Sequence, residues 1–216
     1  MRKFIAAALL AGTAATPALA QDVNPTFTGP RIEATLGYDR VGAGSSIDND
    51  NGRDDQKIDG LLYGGGIGFD FAAGGAVLGV EGEITESTAK SERIPYTTTF
   101  GFGRVSAGRD IYVGGRAGIL ASPNTLVYIK GGYTNAKLNV LAGNTTTTTD
   151  TGFKLDGWRL GAGAERALSG NTFAKLEYRY SNYNDARLDF GNGATSGRFD
   201  IDTDRHQVVA SYGLRF

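Results

Sequence analysis

The strongest constraint in this chain is a period of two that returns in eight separate stretches. Ile32, Ala34, Leu36 and Tyr38 alternate with Arg31, Glu33, Thr35 and Gly37. Runs of the same kind occupy residues 61–71, 78–84, 110–119, 127–134, 158–165, 174–181 and 207–216. Successive side chains of a strand point to opposite faces, so each stretch predicts a strand with one apolar face and one face of charges and glycine.

The connections between these strands alternate in length. Residues 72–75, 121–125 and 169–172 are short and rich in glycine, asparagine, serine and proline, the residues of tight turns. About 42–57, 87–103, 137–152 and 182–203 are long. Hairpins therefore recur every ~45 residues, and two strands per repeat are too few for a propeller blade. The expected fold is all-β: an eight-stranded antiparallel up-and-down transmembrane β-barrel with short periplasmic turns and four long extracellular loops. A soluble barrel alternates too, with its apolar face turned inward, so the composition of the two faces has to decide.

The polar face carries the acids Glu33, Asp70, Glu81, Glu83, Asp110, Glu165 and Glu177 and the bases Arg31, Arg116, Lys130, Arg159, Lys175, Arg179, Arg205 and Arg215. Near-balance suits an enclosed interior, where unpaired charge is costly. Glycine is unusually common, 33 of 216 residues. On the polar face sit Gly37, Gly64, Gly66, Gly68, Gly79, Gly114, Gly118, Gly132, Gly161, Gly163 and Gly213, which would make room for long side chains in a narrow lumen. The apolar face ends in aromatics: Phe69, Phe71, Tyr212 and Phe216 toward the short turns, and Tyr38, Tyr63, Tyr133, Trp158 and Tyr180 toward the long connections. Two such girdles mark the two interfaces of a membrane.

The first residues fit export. Arg2 and Lys3 precede an apolar run over 4–11, and Ala18-Leu19-Ala20 gives a small-x-small site, predicting cleavage between Ala20 and Gln21. The expected organisation is a signal peptide over 1–20, a short periplasmic segment over 21–28 and a barrel domain over 29–216. Ala20 is not followed by cysteine, so no lipoprotein anchor is expected. The chain has no cysteine and one histidine, and its 22 basic residues balance 23 acidic ones. These counts argue against thiolate or multi-histidine metal sites and against nucleic-acid binding.

Glycine-rich Gly64-Gly65-Gly66-Ile67-Gly68-Phe69 and Gly161-Ala162-Gly163-Ala164-Glu165, together with Lys175-Leu176-Glu177-Tyr178-Arg179-Tyr180 and the ending Tyr212-Gly213-Leu214-Arg215-Phe216, carry a resemblance. The chain resembles the small eight-stranded outer-membrane barrels, the group of outer-membrane protein A membrane domains, opacity proteins and related surface antigens. The resemblance implies the outer membrane of a Gram-negative bacterium. It also implies that Tyr212, Leu214 and Phe216 signal to the barrel-assembly machinery. The chain stops at Phe216, so a peptidoglycan-binding domain of the outer-membrane protein A kind is not implied.

Folding each hairpin about its short turn places Glu165 opposite Lys175, and Arg116 near Lys130 and beside Glu81 or Glu83. Glu177 and Arg179 fall at one depth. The expected lumen ion-pair network is Glu81, Glu83, Arg116, Lys130, Glu165, Lys175, Glu177 and Arg179. It either plugs the barrel or, by exchange of partners, gates a narrow solute or ion channel of a porin-like kind.

Other candidates are weaker. Asp48-Asn49-Asp50-Asn51-Gly52 with Asp54 and Asp55 lacks the closing glutamate and flanking helices of a calcium loop. Residues 145–149 read as a hydrophilic loop tip. His206 lies on the apolar side near the outer rim, but Asp204 and Ser211 are too loosely placed for a triad, so neither catalysis nor a lipid-modifying enzyme is expected. No cofactor or metal site is expected. Asp185, Asp189, Asp200, Asp202 and Asp204 are loop acids that could meet lipopolysaccharide phosphates through divalent ions. The expected partners are outer-membrane lipid, lipopolysaccharide, the assembly machinery and external surface ligands of the loops, around a monomer. The expected role is outer-membrane integrity and surface interaction.

Overall fold

The computed structural model describes residues 25–43, 56–92, 101–143, 148–168, 170–189 and 199–216. The expected signal peptide and its cleavage site, the Asp48–Asp55 acidic run and residues 145–147 lie outside them.

The period-two stretches are strands: β1 (Gly29–Ala43), β2 (Gln56–Ala73), β3 (Ala76–Ser87), β4 (Lys90–Glu92), β5 (Gly101–Ser122), β6 (Thr125–Gly143), β7 (Thr148–Ala167), β8 (Thr172–Asp189) and β9 (Phe199–Arg215). Every pairing is antiparallel, and β1 pairs with both β2 and β9. Pairing of β3 with β5 closes the ring. The short β4 continues β3 past a break at Thr88 and Ala89 and pairs with β5, so the nine strands make eight staves.

The short turns are as tight as their composition requires. Gly74 and Gly170 hold φ of +62° and +63°, a conformation that side-chain-bearing residues rarely adopt. The strands run further into the long connections than the hydropathy alternation indicates. β6 continues to Gly143 and β7 begins at Thr148, while β8 continues to Asp189 and β9 begins at Phe199. Asp185, Asp189, Asp200, Asp202 and Asp204 therefore belong to strands rather than to a connection. The alternation does not stop there; it changes sign. Nearer the short turns the wall is apolar outside and charged inside. Beyond the aromatic rim, Val41, Ile58, Ala107, Ala136 and Leu155 are buried inside. In the same region Arg40, Asp59 and Lys137 are exposed outside.

In the main belt the outward residues are strongly exposed, among them Ile67, Ile119, Ile129 and Leu176, each above 60%. Packing against water would not leave such a band uncovered. A short helical turn, Pro25–Phe27, lies under the short-turn end of the barrel. Phe27 is fully buried with Val77, Leu126 and Tyr128, and Arg215 Nη1 donates to its carbonyl at 3.1 Å.

Candidate functional site: a charged lumen

The barrel interior holds the acids Asp39, Glu33, Asp70, Glu81, Glu83, Asp110, Glu165 and Glu177, all buried. It holds the bases Arg31, Arg116, Lys130, Arg159, Lys175, Arg179, Arg205 and Arg215, also buried. Eight negative charges thus meet eight positive ones. Each member reaches an opposite charge, and the contacts join all of them into one network.

At the short-turn end, Asp70 faces Arg31 at 3.0 Å, Arg116 at 2.7 Å and Arg215 at 2.8 Å. Glu165 ties Arg116 to Arg215 at 2.8 and 2.7 Å. Arg31 then links upward, to Glu33 at 2.8 Å and to Glu81. In the middle layer Lys130 sits among Glu81 and Glu83 at 2.7 Å and Glu177 at 3.1 Å. Lys175 reaches Glu33 at 2.6 Å, and Arg179 holds Glu177 and, at 3.0 Å, Glu83. Among the described residues the top layer joins through Arg159, 3.8 Å from Glu83 and 2.5 Å from Asp110. Arg205 bridges Asp110 and Asp39, both at 2.7 Å.

Three neutral hydroxyls complete the carboxylates. Thr134 donates to Asp110 at 2.7 Å, Tyr183 to Asp110 at 3.1 Å and Tyr128 to Glu177 at 2.6 Å. Two tyrosine rings are wedged between cations. Tyr112 faces Lys130 and Arg159, with the ring centroid 4.6 and 5.3 Å away. Tyr128 faces Arg116 and Lys175 at 5.0 and 5.9 Å. Such stacking adds attraction where water is excluded.

Glycines leave the space that these side chains fill. A Cβ on Gly68 would lie 2.7 Å from the Arg31 guanidinium carbon, and one on Gly161 3.0 Å from Lys130 Cγ. On Gly66 it would lie 3.2 Å from Glu83 Cγ.

All eight residues expected in the network lie in it, but two expected partnerships differ. Glu165 and Lys175 are paired in register. Their side chains nonetheless diverge, Glu165 to Arg116 and Arg215, and Lys175 across the lumen to Glu33. Arg116 is in register with Lys130. It turns toward the short-turn end, to Asp70 and Glu165, and not to Glu81 or Glu83. Long side chains in a narrow tube reach across it, so the ladder partner is not the ionic partner. Asp39 joins the network from beyond Tyr38, where the apolar–polar alternation of β1 ends. Its signal was its parity: it stands on the face of Arg31 and Glu33.

His206, Asp204 and Ser211 do not assemble. The Tyr178 hydroxyl and His206 Nδ1 are 2.7 Å apart on the outer surface. Asp204 accepts from Tyr180 at 2.6 Å and Asn182 at 2.9 Å. Ser211 lies inside the wall, 3.0 Å from Thr35 Oγ1. Among the described residues there is no group of metal-ligating side chains.

A closed antiparallel ring that is apolar outside and ion-paired inside defines an integral membrane β-barrel. The chain belongs to the family described as the outer membrane protein beta-barrel domain, whose model matches residues 4–216. Its location is the outer membrane of a Gram-negative bacterium. It is similar to the 25 kDa outer-membrane immunogenic proteins of Brucella melitensis and Brucella abortus. Each is 28% identical over 157 residues, covering 72% of this chain and 67% of the relative. Solved structures with a similar fold include Neisserial surface protein A (11% identity, TM-score 0.48, covering 86% of this chain and 97% of that one). Another is Ail, the attachment invasion locus protein of Yersinia pestis (12% identity, TM-score 0.46, covering 87% and 99%).

Proposed function

We propose that the protein is a non-conducting outer-membrane barrel that supports envelope integrity and presents its outer connections to external ligands. The observation that carries this reading is the continuous lumen network. Sixteen buried charges, all paired, occupy the width of an eight-stave barrel from Asp70 to Asp39. A solute would have to separate buried ion pairs, at a cost of several kcal/mol per ion. Aqueous pores belong to barrels of about 16 strands or more. The relatives' description as immunogenic outer-membrane proteins supports surface presentation. Its partners on this reading are outer-membrane lipid and lipopolysaccharide around the wall, the assembly machinery through Tyr212, Leu214 and Phe216, and surface ligands at the loops. The barrel works as a monomer and performs no catalysis.

The test is conductance in planar bilayers, comparing the native barrel with Arg116→Ala, which frees Asp70 and Glu165 from a shared cation. Near-zero current is expected from both. Steady unitary current from the native barrel, altered by Arg116→Ala, would replace the plug with a gated channel.

A further inference from the structure

Lumen width explains the inward glycines, but others lie on the outward face. Gly65 on β2 and Gly82 on β3 both face outward, in the same phase as Tyr63, Ile67, Val80 and Ile84. Neither has a positive φ; among the described glycines only Gly29, Gly74 and Gly170 do. A Cβ on Gly65 would lie 3.0 Å from the Glu33 carbonyl oxygen, so the ladder itself favours glycine there, but one on Gly82 would meet nothing closer than 3.9 Å, so packing within the wall does not exclude a side chain at that position. The two glycines form instead the floor of an external furrow of about 450 Å³. Its walls are Ile32 and Ile67 on one side and Ile84, Ile111 and Val113 on the other.

We propose that this furrow seats one acyl chain of an outer-membrane lipid. The furrow is continuous with the exposed apolar band, which already faces lipid hydrocarbon. Immediately outward along the same ladder, Tyr63 pairs with Glu86 and donates to it at 3.2 Å, a polar ledge at headgroup height. The next pairs inward are Gly65 with Ile84 and Ile67 with Gly82. A chain descending from that ledge therefore runs over one glycine and then the other. Lipid is as apolar as the furrow, so retention rests on close packing, which is what a side-chain-free floor between branched walls provides.

The experiment is native mass spectrometry of the full chain reconstituted with a saturated phosphatidylethanolamine and released from mild detergent. Gly82→Leu fills the furrow, and Ala162→Leu adds the same bulk elsewhere on the outward face. Heat-modifiable gel migration confirms that each is folded. One retained lipid is expected on the native barrel, with retention roughly tenfold lower in Gly82→Leu and unchanged in Ala162→Leu. If Gly82→Leu fails to fold, Gly82→Val is judged by the same criteria. No lipid on the native barrel, or equal retention in all variants, overturns the proposal. A dimer that the Gly82 substitution dissolves also overturns it, by making a second copy the occupant.

Discussion

Strand β6 passes through two different proteins in one molecule. In the belt its outward residues are Val127 and Ile129, and its inward ones are Tyr128 and Lys130. In the collar beyond the rim, the outward positions are Asn135 and Lys137, and the inward ones are Ala136 and Leu138. The belt is inside out, with charge at the centre and aliphatic surface outside. The collar is ordinary, with Ala136, Leu155 and Tyr183 packed as a small core and a second cluster of Val41, Ile58, Ala89 and Ala107. The β6–β7 ladder does not change between them, staying in register from Thr125–Arg166 to Gly143–Thr148, whereas bulges interrupt the neighbouring ladders near the boundary, between Ala107 and Asp110, at Asp156–Gly157 and between Tyr183 and Asp185. Along β6 it is the outside solvent that changes, from lipid to water, and the side chains invert to match it. The difference teaches that one strand can satisfy the same hydrogen bonds under two opposite rules of burial.

The largest expected break is at the centre of the belt. Asp70→Ala leaves Arg31, Arg116 and Arg215 facing one another with one carboxylate fewer. Removing one partner from a buried ionic cluster typically costs ~3–5 kcal/mol. The urea midpoint for loss of the folded, heat-modifiable band should fall accordingly. An unchanged midpoint would mean that the lumen is hydrated and the network weak. A paired substitution on β6 then sharpens the contrast. Ile129→Lys puts a charge on the lipid face and should cost about 2–4 kcal/mol. Lys137→Ile, on the same face beyond the rim, should stay within ~0.5 kcal/mol, as surface changes do. Equal costs at the two positions would erase the boundary between belt and collar.

The belt was readable because its alternation is strong: charges and glycines hold one parity, and the other parity is apolar or glycine. That gave the strand number, the short turns and the identity of the inward face. The collar was not readable by the same rule. At its start the hydropathy pattern changes sign, as from Tyr133 to Lys137, and a search for apolar-out alternation ends there. Partners within the lumen were unreadable for a different reason. Lys175 and Glu33 are 142 residues apart and sit on strands that do not pair, so no ladder brings them together. Their contact follows from the tube's width and the reach of a lysine. Phe27 gave no alternation signal at all, since it precedes β1, yet it closes the short-turn end.

A smaller loss than either break in the belt is expected at the boundary itself. Tyr133 stands between Ile129 and Lys137 on the outward face of β6, beside Trp158 on β7. Its hydroxyl donates to Asp156, which also accepts from Asn135 at 2.7 Å. The ring therefore belongs to the belt and the hydroxyl to the collar. Tyr133→Phe keeps the ring and removes one hydrogen bond, while Asn135 still serves Asp156. The expected loss is about 0.5–1.5 kcal/mol in the urea midpoint. The neighbouring indole of Trp158, the chain's one tryptophan, should keep its emission wavelength in lipid. A red shift would place water one residue layer deeper than the inversion does. A loss above ~3 kcal/mol would mean that the removed hydroxyl left a buried carboxylate uncompensated, since water at the interface would otherwise replace it.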